Sequence, residues 1–288
     1  MSIQDNVENN VAIWRIQPTQ ESFAGQLAAI WEHRKVFTAL VRQVIAKMAE
    51  RKVLGLPLML FQPIMLAAPA VFMLKMFNLS VAPIPIAMFV VPGLAVAILV
   101  RRGVPLVARS LSMHRGLMRR VYIPAFLLLG ASLSPAIVQF LVFMGIFALL
   151  AIFYGPITGT FYIPFGWHLL AVAPAILLVF LLIMAVGCFT CVLVNIRRDT
   201  GLVVKYVLSG WMLITPALYP PELIPESNRW LLYLNPLTPP LELFRFGLFG
   251  YGTVHTPSLC LAVAVTFFML LIGGAIFFRL QNRLFDHV

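Results

Sequence analysis

The sequence predicts an all-α integral membrane protein with six transmembrane helices, an N-terminal amphipathic interface helix and short re-entrant helices before the last span. Of its 288 residues, 61% are hydrophobic and 11% are charged. A soluble domain is roughly 45–50% apolar and about 25% charged. The apolar residues also fall into runs near the ~20 residues with which a helix crosses a bilayer. Lipid is therefore the expected solvent for most of the chain.

The N-terminal part of the sequence is expected to lie outside the bilayer core. Residues 1–26 are predicted as a polar cytoplasmic tail without the apolar centre of a signal peptide, so the internal spans should direct insertion. Residues 27–52 are predicted as an amphipathic helix with a basic polar face, a pattern that suits the membrane interface or, alternatively, a partner protein. Its apolar side carries Leu27, Ile30, Trp31, Phe37, Val41, Val44 and Met48.

Residues 53–288 are predicted as the six-span domain. The spans are expected at 54–74, 83–100, within 123–153, and at 167–194, 203–218 and 257–278. With both termini inside, 18 of the 21 Lys and Arg residues lie in inside segments. This bias predicts cytoplasmic N- and C-termini. It also accounts for the net charge of +11 without nucleic acid as a partner.

Residues 219–256 are half apolar but contain no run long enough to span. Prolines interrupt the two short apolar stretches at 230–233 and 241–249. Short helices that re-enter the outer leaflet fit this pattern, because non-helical backbone at that depth is tolerated against protein or a water-lined cavity. An ordinary structured extracellular loop is the alternative.

The sequence carries no recognisable catalytic chemistry. It lacks the G-x-x-x-x-G-K-[ST] loop that cradles nucleotide phosphates. The spans hold almost no ionisable groups, which argues against proton coupling. Cys188 and Cys191 have C-x-x-C spacing but no polar ligand nearby, so packing is their expected role. We therefore predict no enzyme activity, no cofactor and no metal, and any energy must come from a partner.

Residues 101–122 are the best sequence clue to that partner. The stretch places Arg109, Arg115, Arg119 and Arg120 among apolar residues. A soluble protein could hold such a helix by its apolar side. The alternative is that these arginines only anchor the neighbouring spans on the positive side of the membrane.

Three stretches resemble the membrane subunit of ABC-2 type exporters for polysaccharides and polyol phosphates. Leu54-Gly55 followed by Pro63 is similar to the start of that family's first span, with Leu58 where the family often has Trp. Residues 116–124, GLMRRVYIP, resemble the family's N-L-[IV]-[RK]-K-V-x-F-P. Ile224-Pro225, Asn235-Pro236-Leu237 and Glu242-x-x-Arg245 resemble its outer re-entrant region.

This resemblance implies an exporter of capsular polysaccharide, O-antigen or teichoic acid in the bacterial inner membrane. Two copies of the chain would form the pore with two ABC ATPase subunits that bind ATP and Mg, and envelope export proteins could attach. Residues 101–122 would couple to the ATPase and 219–256 would form the outer gate. The implied coupling residues are Arg109, His114, Arg115, Leu117, Met118, Arg119 and Arg120. The implied substrate-path residues are Tyr219, Trp230, Tyr233, Glu242 and Arg245.

Several alternatives stay open from the sequence. Trp230, Tyr233, Phe244 and Tyr251 could stack on sugar rings or form an interfacial aromatic belt. Glu242 and Arg245, three apart on a helix, are expected to form an ion pair or a gating pair. An exporter of a small amphiphile (a drug, a lipid or haem) is the alternative function. A membrane enzyme or scaffold for prenyl-linked sugars is disfavoured because His114, His168 and His255 are scattered singly.

Overall fold

The computed structural model describes residues 34–50, 55–79, 84–118, 125–159, 162–197, 199–252 and 254–287, and these are all helix or connecting loop without strands. The α-helices are α1 Arg34–Glu50, α2 Gly55–Met76, α3 Ile86–Ala108, α4 Ser110–Met113, α5 Arg115–Met118, α6 Ala125–Ser132, α7 Ser134–Thr158, α8 Val172–Ile196, α9 Thr200–Ile214, α10 Arg229–Leu234, α11 Thr238–Phe249 and α12 Thr256–His287. Short 3-10 helices occupy Trp167–Ala171, Pro221–Leu223 and Glu226–Asn228.

The predicted all-helical membrane class is confirmed. Within the residues that the structure describes, four helices are long and apolar enough to cross a membrane: Ile86–Ala108, Phe126–Ile157, Trp167–Ile196 and Thr256–Phe277. Two shorter apolar helices, Phe61–Met76 and Thr200–Ile214, correspond to the predicted first and fifth spans. The total of six spans and the orientation stay predictions, as do the domain boundaries.

Helix α3 lies at the centre of the bundle. Every residue from Met88 to Val100 is buried, and 78% of its most apolar window is inside the protein. The windows of the other three long helices are only 22% to 33% buried. Their large exposed side chains, such as Leu149, Leu177 and Phe267, therefore face outward, as expected where lipid is the solvent.

The helix ends follow from local sequence, with one extension beyond the predicted bounds. Helix α7 has Pro135 in its first turn and ends at Gly159, whose φ of 67° is the left-handed conformation that glycine accepts. Helix α3 continues to Ala108, past Arg101 and Arg102, although the predicted span ended at residue 100. The first part of the predicted coupling region is therefore an extension of the central helix.

Helix α1 packs against its own chain. Leu40 and Val44 are 4% and 6% exposed, and α1 lies against α6 and α7. Phe37 approaches Gly130 of α6, where an added Cβ would lie 3.4 Å from its ring. The apolar stripe predicted for a membrane interface or a partner protein is thus covered, in the part of the helix that the structure describes, by the third-span helices. Leu27, Ile30 and Trp31 lie outside the described residues.

Candidate functional site

The predicted re-entrant segment contains two short helices, α10 and α11, which prolines and glycine delimit. Pro239 and Pro240 lie in the first turn of α11, and Gly250 ends it with a φ of 69° and its N–H on the Phe246 carbonyl. Helix α11 packs closely against α8, because a side chain at Gly247 would collide with the backbone of Val172. Most of α11 is therefore buried inside the protein.

Arg245 of α11 is the central charged residue of this segment, and only 5% of it is exposed. Its Nη1 donates to the Pro216 carbonyl at 2.7 Å and its Nη2 donates to the Ala217 carbonyl at 2.6 Å. Its guanidinium carbon lies 3.7 Å from the centroid of the Phe89 ring in α3. The planar fork thus joins α11, the turn after α9 and the central helix, a geometry that a lysine ammonium does not reproduce.

Gly93 of α3 makes this arrangement possible. A methyl group at Gly93 would overlap both the Ala217 carbonyl oxygen and Nη2 of Arg245. The Ala217 oxygen belongs to the backbone and cannot rotate away. We call Phe89, Gly93, Pro216, Ala217 and Arg245 the arginine clamp.

The expected ion pair between Glu242 and Arg245 does not form, because the guanidinium donates to carbonyls instead. In the described part of this segment, an ion pair instead joins Arg229 Nη1 to Glu226 Oε1 at 3.7 Å. Burial raises the pKa of Glu242 to about 7, while the charge of Arg245 lowers it and that of Glu222 raises it. Burial also lowers the pKa of Arg245 to about 9. Glu242 therefore gains a proton near neutral pH, unlike an ordinary surface carboxyl.

Asn235, in the Asn-Pro-Leu stretch, holds the start of α11 against the end of α9. Its Oδ1 accepts from Trp211 Nε1 at 2.7 Å and from the Leu237 N–H at 3.0 Å. Its Nδ2 donates to Thr215 Oγ1 at 2.9 Å. Both acceptor directions of Oδ1 and one N–H of Nδ2 are used by neighbours, so the amide fixes the path of the chain between two helices.

The predicted aromatic residues differ in what they leave accessible. Trp230 is 57% exposed. Tyr233 is half-buried, and one face of its ring stacks on His255 at 4.5 Å between centroids. The hydroxyl of Tyr219 donates to the Ile214 carbonyl at 3.1 Å, and burial raises the pKa of this tyrosine. Trp230 is therefore the predicted path residue most able to meet a ligand.

The predicted coupling residues are divided between surface and interior. Arg109 is exposed and Leu117 is half-buried. His114 is 5% exposed, and its Nδ1 lies 2.9 Å from the Ser110 carbonyl. Burial lowers the pKa of its imidazole, which favours the neutral ring, and the coupling role of this residue stays a prediction. Arg115 and Met118 belong to α5, while Arg119 and Arg120 lie outside the described residues.

Sequence reasoning missed several residues of these two regions. Met113 is 47% exposed, and an added Cβ at Gly116 would meet nothing within 4 Å, so both positions leave apolar or backbone surface open. Phe89, Gly93 and Trp211 had no motif around them. The resemblance of residues 116–124 to a family pattern was a signal for Gly116. The residues around Arg245 gave no such signal, because the groups that bind its guanidinium are backbone carbonyls, which no sequence pattern marks.

A protein-family model described as ABC-2 type transporter matches residues 35–249 of the chain. The matched range begins with α1 and ends with α11, so it includes the arginine clamp, Asn235 and the coupling segment. A comparison with curated protein sequences gives no match.

Proposed function

This chain belongs to the ABC-2 type transporter family, and we propose that it is the transmembrane subunit of an exporter that moves a lipid-linked polysaccharide across the bacterial cytoplasmic membrane. The ABC-2 membrane domain is a permease domain without an ATPase, and such permeases generally pair with an ATPase subunit. ATP binding then lies on that separate subunit. The substrate class is our own inference.

The observation that carries the substrate proposal is the order of the three stretches that resemble polysaccharide exporters. The outer stretch gains physical weight from its contacts, since Asn235 and Arg245, both in the motif, are the side chains that tie α11 to α9 and α3. Few other side chains could make the contacts that Asn235 and Arg245 make. The exposed Trp230, in the same segment, offers an aromatic face of the kind that binds sugar rings.

The fold offers a direct mechanical connection between the two functional regions. Helix α3 runs from the arginine clamp, at Phe89 and Gly93, into the proposed coupling region 101–122, within which it ends at Ala108. Twenty residues of helix cover about 30 Å. Because α3 is buried on all sides over most of this length, it moves as a rigid element with its neighbours. We infer that ATP-driven movement at residues 109–118 displaces Phe89 against Arg245 and shifts the Pro216–Ala217 turn.

In the assembled exporter, two copies of the chain pair with two ATPase subunits, with both termini of each chain in the cytoplasm. The basic residues of the inside segments favour this orientation. The ATPase acts at 101–122, and 219–256 opens or closes the exit on the opposite side. The exported polysaccharide is of the O-antigen, capsule or teichoic-acid type. It reaches the exporter attached to its lipid anchor.

Deletion of the gene tests the substrate proposal. We expect loss of a surface glycan and accumulation of its lipid-linked form inside the cell, both reversed by the wild-type chain. Unchanged surface glycan, together with new sensitivity to a small amphiphile, would instead support the alternative cargo and overturn the polysaccharide proposal.

A further inference from the structure

A groove lies on the side of the molecule opposite the arginine clamp, with a cavity volume of about 580 Å³. Its walls come from α1, the last turns of α3, the start of α7 and the first half of α9. Four cationic side chains line it: Arg101, Arg102, Arg109 and Lys205. None of the described lining residues is acidic. A concave surface with one sign of charge concentrates the opposite charge in its interior.

A hydrogen bond holds Arg102 in place, and Arg109 lies close to α9. Arg102 Nη2 donates to Gln62 Oε1 at 2.8 Å, and the same oxygen accepts from Gln139 Nε2 at 2.9 Å. This network joins α2, α3 and α7 and fixes one guanidinium at the wall of the groove. Arg109 lies against the first turn of α9, since an added Cβ at Gly201 would lie 3.3 Å from its Nη2.

Arg109 lies beside the start of α9, and three further cations line the same groove. The N-terminal end of α9 carries a partial positive charge, and its N-cap residue, Asp199, makes no side-chain hydrogen bond to the helix end. The Thr200 and Leu202 N–H groups donate to the Arg197 and Asp199 carbonyls, so the guanidinium groups rather than the helix end are the donors open to an anion. An anion in the groove reduces the repulsion among the four cations and can accept hydrogen bonds from the guanidinium groups.

The groove also adjoins an apolar surface. Met48 and Leu106 contribute to its lining. Beside it, α9 presents Leu202, Val203 and Tyr206 at 58%, 60% and 72% exposure. An anionic group in the groove would therefore continue into a surface that suits hydrocarbon chains. This combination favours an amphiphile with a phosphate head over an acidic protein surface, which would have to enter a recess between four helices.

We propose that this groove binds the phosphate or pyrophosphate headgroup of a membrane lipid. The identification of that lipid as the carrier of the exported glycan rests on the proposed function. Arg101, Arg109 and Lys205 contact the headgroup, and Arg102, held by Gln62, completes the positive wall. This assigns Arg109, predicted from the sequence as a coupling residue, to ligand binding.

The test measures binding of farnesyl pyrophosphate to the full-length chain purified in detergent, with farnesol and inorganic pyrophosphate as comparison probes. The triple variant Arg101→Gln, Arg109→Gln, Lys205→Gln removes three exposed cations from the groove. The triple variant Lys35→Gln, Arg42→Gln, Lys75→Gln removes three exposed cations that do not line the groove and so matches the loss of charge.

We expect the groove variant to bind farnesyl pyrophosphate at least about tenfold more weakly, because it loses three charge-assisted contacts. The matched control should stay within about twofold of the wild type, and higher salt should weaken binding. Arg101→Lys with Arg109→Lys, which keeps both charges, should retain most of the affinity and excludes simple misfolding as the cause.

Three outcomes would overturn the proposal: equal loss in the groove and control variants, equal binding of farnesol, or a pyrophosphate affinity equal to that of the farnesyl compound. The last would indicate a site for soluble anions. The proposal would also be overturned if the groove bound an acidic surface of the ATPase. In that case the groove variant would lose ATPase binding but keep lipid binding. The assay needs neither ATPase nor transport, so it can fail or succeed independently of glycan export.

Discussion

The Arg245 guanidinium carbon lies 3.7 Å from the centroid of the Phe89 ring, which places a buried cation of α11 on the face of an aromatic side chain of the central helix α3. The same guanidinium closes the Pro216–Ala217 turn through two carbonyls. One side chain thus joins three elements that transport must keep in register.

Arg245→Lys should destabilise the protein and reduce export although it conserves the charge. A single ammonium cannot donate to both carbonyls and also lie flat on Phe89, and an unsatisfied buried carbonyl costs about 1–3 kcal/mol. We expect a lower Tm in detergent and reduced surface glycan. Arg229→Lys, in the same segment but partly exposed, is the control. A Tm equal to the wild type for Arg245→Lys would show that the clamp contributes little.

Gly93→Ala should be more damaging than its size suggests. The added methyl collides with the Ala217 carbonyl and with Arg245, so the turn or the whole of α11 must move. Overpacking of this kind costs about 1–3 kcal/mol. Gly145→Ala, in α7, adds the same methyl where nothing lies within 4 Å. Export and Tm, measured for both variants, should fall only for Gly93→Ala; a fall of similar size in both would reject the steric explanation.

Glu242 should make stability depend on pH. Its pKa in the folded protein is about 7, above the ordinary value of 4.5, so the folded state binds the extra proton between these values. Its stabilising contribution is full below about pH 4.5 and is lost as the pH rises through 7, with an amplitude of about 3 kcal/mol. The Tm of the wild type minus that of Glu242→Gln should therefore decrease from pH 5 to pH 8.

Glu226→Gln provides the control for that experiment, because its carboxylate is exposed. The difference between wild type and variant also removes the opposite contribution of His114, whose lowered pKa acts at the same pH. A difference in Tm that stays constant from pH 5 to pH 8 would mean that Glu242 keeps an ordinary pKa.

Trp230→Ala should reduce export of the glycan with little change in Tm. Trp230 is 57% exposed, so its loss removes a stacking surface rather than a packing contact. Tyr251→Ala is matched in exposure, at 58%, and is the expected belt residue. Surface glycan measured for both strains should fall only for Trp230→Ala. Equal values would assign both aromatics to the interface belt.

The sequence predicted the helices well and the clamp only in part. Apolar runs of fixed length locate a span without any knowledge of its neighbours, and α2 at Gly55–Met76 lies within two residues of its prediction. Arg245 was found through its motif, yet its partners are carbonyls 29 and 28 positions earlier in the chain. Backbone groups are present at every residue, so no pattern singles them out.

His114 shows how burial can escape a sequence argument. The family resemblance placed it among the coupling residues, and in the structure it follows α4 with only 5% of its surface exposed and its Nδ1 near the Ser110 carbonyl. Its coupling role stays a prediction. Burial of a short helix depends on contacts with distant elements. The sequence shows each of the four cations of the groove, at 101, 102, 109 and 205, but it does not show that they lie together. The packing of α9 against α3 brings Lys205 to the three arginines.

Co-purification tests the central claim, that this chain is the membrane subunit of an ATP-driven exporter, most directly. The tagged chain, extracted in mild detergent and analysed by mass spectrometry, should recover an ABC ATPase subunit in a one-to-one ratio. Arg119→Glu with Arg120→Glu should abolish that recovery, whereas Arg197→Glu should preserve it. Isolation of the wild-type chain without any ATPase, under conditions that keep another ABC transporter assembled, would contradict the account.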